Sequence, residues 1–192
     1  GSVSSLTNLV SSVGVIATDV TGVGTARDAL TACEYGGDKA IFGYGKNSYF
    51  SLTNLVSNVG VVATDVTGVG TARAYLAACG YGGDKGIFGY GFTGSYVSLT
   101  NLVSNAGVVA TDVTGVGTAR YRLAACEYGG DKGIFGYGYT TGNVSMTNLV
   151  SNAGVVATDV TGVGTARSYP AACEYGDDNR VRYKILANEI LG

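Results

Sequence analysis

The chain repeats itself. The phrase TNLVS begins at Thr7, Thr53, Thr100 and Thr147, in steps of 46, 47 and 47 residues. Each copy runs on into ATDVTGVGTAR, ending at Arg27, Arg73, Arg120 and Arg167. A period in the forties is the length of one propeller blade; a two-helix repeat can share it. Composition decides between them. Gly fills 32 of 192 positions, more than twice the usual share, and β-branched residues dominate the rest of the unit. No apolar stripe of helical period appears. The reading is short strands joined by tight turns.

One unit divides into four expected strands. In the third copy these are Leu123–Tyr128, Gly133–Gly138, Val144–Val150 and Val155–Val160. A GGDK turn joins the first pair, because glycine reaches positive φ without strain. One four-stranded antiparallel sheet cannot bury both of its faces, whereas radially stacked copies can. The expectation is therefore an all-β, single-domain β-propeller over 1–192, with four-stranded antiparallel blades and units near 4–50, 51–97, 98–144 and 145–192. The chain opens in the third strand of a unit and closes in the second, so its first and last strands can complete one blade together. Arg180-Val181-Arg182-Tyr183-Lys184-Ile185 alternates charged with apolar residues, as a half-buried strand does. Two chains sharing one eight-bladed ring is compatible with the same count. Gly1-Ser2 looks like a cloning remnant, which leaves a lost leader open.

The unit TARYRLAACEYGGDKGIFGYG…SMTNLVSNAGVVATDVTGVG resembles a kelch repeat. The TAR start, small-residue LAAC strand, short turn and GIFGYG strand follow in kelch order, and TNLV stands at the third strand. It departs in having Gly136-Tyr137-Gly138 for paired glycines and no Trp in the fourth strand. WD40-like and other propellers, including four-bladed hemopexin-like rings, remain alternatives.

The copies can be compared with one another. Units 51–97 and 98–144 differ at 8 of 47 positions. Two follow the arginine (Ala74/Tyr121, Tyr75/Arg122), and four lie in the loop after the second strand (Phe92/Tyr139, Gly94/Thr141, Ser95/Gly142, Tyr96/Asn143). The kelch resemblance implies that residues just after that arginine sit at the mouth of the central channel, where peptide-binding relatives contact ligands. Asp28, Tyr75, Tyr121, Arg122 and Tyr169 are the candidate ligand-binding residues on that basis. Tyr and Arg make large, directional contacts at modest entropic cost. Drift at unconstrained exposed positions would give the same pattern.

Other function classes find little support. With no His in the chain, a His-dependent triad cannot be built. GVGTAR lacks the Lys-Ser/Thr of a phosphate loop. Cys33, Cys79, Cys126 and Cys173 occupy one position per unit and read as small buried thiols; the kelch-like arrangement puts such positions too far apart to bridge. Asp19, Asp65, Asp112 and Asp159 recur with the arginines and read as structural partners; a ring of carboxylates holding a cation is the alternative. Asp177-Asp178-Asn179 lacks calcium-loop spacing, and Glu189 has no evident acidic partner. A net charge of −2 with no basic run argues against nucleic acid, and no stretch has the roughly 20 apolar residues of a membrane helix. The expectation is a non-enzymatic propeller without metal or cofactor that binds a protein, peptide or glycan at its rim. The alternative is a self-assembling structural protein with no dedicated ligand. Near-identical copies point to recent amplification; an engineered or consensus-like origin is also compatible, though the uneven fourth unit looks more like natural drift.

Overall fold

In a computed structural model, which describes residues 3–174, the chain is all-β without any helix among those residues. Strands β1 (Thr31–Tyr35), β2 (Lys39–Gly43) and β3 (Thr53–Val56) form one antiparallel sheet. Strands β4 (Ala77–Tyr81), β5 (Lys85–Phe92) and β6 (Tyr96–Val103) form a second, and β7 (Ala124–Tyr128), β8 (Lys132–Gly136) and β9 (Thr147–Val150) a third. Each opening hairpin turns on a glycine pair at positive φ, such as Gly36 and Gly37 at 64° and 78°. The register is the same in each: Cys33 faces Ile41, Cys79 faces Ile87 and Cys126 faces Ile134.

The expected fourth strand is a correction. Val155–Val160 meets β9 only through isolated bridges, Thr147 with Val160 and Val150 with Val156. Side chains supply the reason. Asn148 Nδ2 donates to the Ala157 carbonyl (3.0 Å) and to Asp159 Oδ1 (3.0 Å), so a side chain takes a backbone acceptor that a continuous ladder would use. The described residues thus form three three-stranded sheets, not a closed ring of four-stranded blades. Ring closure through Arg180–Ile185, the cluster Asp177-Asp178-Asn179 and Glu189 lie outside the described residues.

The core lies between sheets, as a sheet that cannot bury both faces alone requires. Cys33, Tyr35, Ile41 and Tyr44, in and next to the first sheet, pack with Leu76, Ala78, Phe88 and Val103, in and next to the second. Cys79, Tyr81, Ile87 and Tyr90 pack in the same way with Leu123, Phe135 and Val150. Phe88 and Phe135 are wholly buried, each worth about 1.5–3 kcal/mol of apolar transfer. Glycine makes that approach possible. A Cβ on Gly43 would stand 2.6 Å from the Phe88 ring, and one on Gly89 2.5 Å from that of Phe135. Inter-unit contact concentrates on the first strands, β1 against β4 and β4 against β7. Backbone bonds tie these strands at their ends: Gly36 N–H donates to the Asp84 carbonyl (2.7 Å) and Gly82 N–H to that of Asp131 (2.7 Å).

Candidate functional site

Two sets of side chains lie along the seam between units, and they behave oppositely. The first is a lock, complete three times among the described residues. Arg73 is wholly buried; its Nε donates to the Tyr90 carbonyl (2.8 Å), Nη1 to that of Thr71 (3.1 Å) and Nη2 to Asn101 Oδ1 (2.6 Å). Asp112 accepts from the Thr71 hydroxyl (2.6 Å) and backbone (3.0 Å), takes a further bond from Asn101 (2.9 Å) and lies 3.8 Å from Arg73. The preceding unit is bound in too. Arg73 sits 4.2 Å from the Tyr44 ring centroid, and the Tyr44 hydroxyl donates to the Val69 carbonyl (3.2 Å). Arg120 repeats the set with Tyr90, Thr118, Asn148 and Asp159. The recurrent Asp and Arg are therefore structural partners that join the segment before a sheet's first strand to the segment after its third. Burial works to raise the Asp112 and Asp159 carboxyls, but hydrogen bonds from Thr and Asn and the nearby arginine outweigh it and hold both below the usual range. Burial pulls the Arg73 and Arg120 guanidinium groups below their ordinary values, opposed by their Tyr and Asp neighbours.

The second set begins immediately after each arginine. The first residue of the variable pair bridges to the loop after the second strand: Asp28 with Lys46, Ala74 with Phe92, Tyr121 with Tyr139. The two variable segments seen in the sequence are thus backbone neighbours on one face. The second residue of the pair lies in the left-handed region, with φ of 51°, 56°, 57° and 54° at Ala29, Tyr75, Arg122 and Tyr169. A backbone ladder holds these four in a column. Tyr75 N–H donates to the Ala29 carbonyl, Arg122 N–H to Tyr75 and Tyr169 N–H to Arg122, each at 2.9 Å. The side chains converge from units far apart in sequence. Tyr75 and Tyr169 ring centroids are 6.5 Å apart, with the Arg122 guanidinium 5.5 Å from the first and 4.5 Å from the second.

Around this column is a cavity of about 380 Å³, lined by Asp28, Tyr75, Arg122 and Tyr169 together with leucines 30, 76 and 123 and Pro170. Four of the five candidate residues line it. Tyr121 is the exception. It turns to the adjoining aromatic cluster, stacked on Tyr96 (5.3 Å, 21°), near Phe92 (5.3 Å) and edge-on to Tyr75 (5.7 Å). Sequence reasoning left Lys46, Tyr49, Phe92, Tyr96 and Tyr139 out of the site, although the loop they occupy was itself one of the variable segments.

The remaining motifs carry no chemistry of their own. Asp38, Asp84 and Asp131 are hairpin-turn residues, each bonded to the neighbouring lysine and to an asparagine of the following turn. All four cysteines are free. Cys33 and Cys79 are buried, Cys126 half-buried and Cys173 exposed, so the buried-thiol reading holds for two of them. Burial pushes the Cys33 thiol up to about 12, which removes it as a nucleophile. Among the described residues no three His, Cys, Asp or Glu side chains gather as a metal site. No protein-family model matches this chain, and no curated protein is significantly similar to it.

Proposed function

We propose that this chain is a non-enzymatic, propeller-like repeat protein, of the kelch-like kind its unit resembles, that binds a protein, peptide or glycan partner at the channel mouth lined by Tyr75, Arg122 and Tyr169. One observation carries the reading. A left-handed backbone costs a residue with a side chain about 1–2 kcal/mol, and glycine nothing. This chain uses glycine at positive φ in many turns. At three of the four column positions it keeps a Tyr or an Arg, and directs it into one shared cavity. Tyr44, Tyr90 and Tyr137 also stand at positive φ, but their rings are taken up by the arginines of the fold, whereas Tyr75, Arg122 and Tyr169 face an open cavity in which a ligand would supply the contact. Contact between units concentrated on their first strands supports the radial arrangement.

The test is an array of glycans and short peptides probed with the parent and with a Tyr75→Ala/Arg122→Ala/Tyr169→Ala variant of matched unfolding midpoint. The expected result is loss of the parent's signals in the variant. Undiminished signals would exclude the mouth as the binding surface.

A second reading, self-assembly, is favoured by a different observation. Asn8 and Asp19 form the acceptor half of a lock (2.8 Å), and no threonine or arginine reaches it among the described residues. Thr165 and Arg167 form a donor half, where among the described residues the Arg167 side chain bonds only the Thr165 carbonyl (3.3 Å) and stacks on Tyr137 at 3.8 Å. These halves are complementary. If they mate between copies, Arg167→Ala lowers the mass seen by light scattering to that of one chain. A one-chain mass for the parent excludes the second reading.

A further inference from the structure

Arg122 differs from every other arginine along the seam. Arg73 and Arg120 spend their donors on carbonyl and amide oxygens inside the fold. None of the five Arg122 side-chain N–H groups makes a hydrogen bond among the described residues, no carboxylate forms an ion pair with it, and its Nε is buried without a partner. Yet the group is held in place. Its guanidinium lies 4.5 Å from the Tyr121 centroid, 4.5 Å from that of Tyr169 and 5.5 Å from that of Tyr75. Ring faces stabilise the cation, limit its rotamers and supply no acceptor to its edge. A planar fork fixed in a cavity with its donors unspent is built to receive a planar oxygen pair.

Charge narrows the ligand further. Lys46 Nζ lies 4.9 Å from the Tyr75 centroid, so two cations lie close to that ring. Asp28 lines the same cavity and bridges through its backbone to Lys46. Among the described residues, Arg122 in the cavity and Lys46 beside it outnumber Asp28 by one charge, which favours an anionic ligand; the planar fork favours a planar oxygen pair. We propose that Arg122 receives a carboxylate of the ligand, held bidentately in the 380 Å³ cavity while the rings of Tyr75 and Tyr169 pack on the remainder. This rests on the mouth being the binding surface. An acidic peptide side chain and a uronic-acid sugar present the same group.

The test is a titration of the full chain followed by NMR, with N-acetyl-glutamate amide and glucuronate as probes, N-acetyl-glutamine amide and glucuronamide as their uncharged counterparts, and inorganic phosphate. The expected result is that at least one carboxylate binds about tenfold or more tighter than its amide and tighter than phosphate. Arg122→Gln, with an unchanged unfolding midpoint, erases that preference, and Arg122→Lys retains only part of it. Binding by the glutamate probe alone identifies a peptide source; binding by glucuronate alone identifies a glycan. Equal binding of acid and amide at Tyr75 and Tyr169 overturns the carboxylate assignment and leaves the mouth standing as a binding surface. A carboxylate preference that survives Arg122→Gln also overturns it. Silence to all five probes overturns both.

Discussion

Arg120 and Arg122 stand two residues apart and occupy opposite physical regimes. Arg120 is wholly buried, with Nε, Nη1 and Nη2 each bonded inside the fold and Tyr90 stacked against it. Arg122 is flanked by rings and bonded to nothing at its edge. The lock keeps its residue types from copy to copy because its buried guanidinium, amide and carboxylate groups are bonded to one another, and a change strands a buried partner. The mouth changes because its backbone ladder is made by N–H and C=O groups that any residue supplies. Ala29, Tyr75, Arg122 and Tyr169 share one conformation while differing in side chain. The fold has separated what must be copied from what is open to diversify.

The comparison can be broken from either side. The largest effect is expected from Arg120→Gln. It leaves Asn148, Asp159 and the Tyr137 carbonyl short of a buried partner, a loss of about 3–5 kcal/mol. At this chain length that is a fall of roughly 6–20 °C in Tm by scanning calorimetry. Arg122→Gln is expected to move Tm by no more than about 2 °C, since it breaks no hydrogen bond. Equal losses from the two would erase the distinction.

A smaller effect is expected where two units touch. Gly89→Ala drives a methyl against the buried Phe135 ring and forces the second and third sheets apart, at about 1–3 kcal/mol. Gly130→Ala, a glycine at positive φ in an open hairpin turn with nothing close to its Cβ position, isolates the backbone part of such a change. If Gly89→Ala costs no more than Gly130→Ala in urea unfolding, close packing between units is not what glycine serves at Gly89.

The smallest effect per group is expected from acid. Asp65, Asp112 and Asp159 are held below the ordinary carboxylate range in the folded chain. Their contribution to stability is therefore complete above that range and is lost as pH falls through the lowered native values. Urea midpoints measured from neutral pH downward should fall in the parent and flatten in Asp112→Asn/Asp159→Asn. An unchanged slope would mean that other carboxylates govern acid unfolding.

Much of the architecture was legible in the sequence. The repeat, the GGDK turns and the strands at AACEY, KGIFG and TNLV follow from glycine placement and β-branched patterning, and they appear where expected. The fourth strand failed for a reason no periodicity carries. Asn54, Asn101 and Asn148 reach across to carbonyls of the following segment and replace a ladder with side-chain bonds. Variation between copies marked Tyr75 and Arg122, two of the residues that line the cavity. What a strand pattern does not encode is that the loop residues Lys46, Phe92 and Tyr139 pair by backbone with the residues after the arginine. That left the aromatic half of the face unassigned and put Tyr121 in the cavity instead of beside it.

The central claim is that the strained column carries its side chains for contact and not for the stability of the fold. Thermal unfolding of Tyr75→Gly/Arg122→Gly/Tyr169→Gly tests it most directly. Relief of the left-handed strain, worth about 1–2 kcal/mol per residue, should offset the lost ring contacts and the added chain entropy. The account predicts a Tm within about 3 °C of the parent, or above it. A fall of roughly 10 °C or more would mean that these rings hold the stack together, and would contradict it.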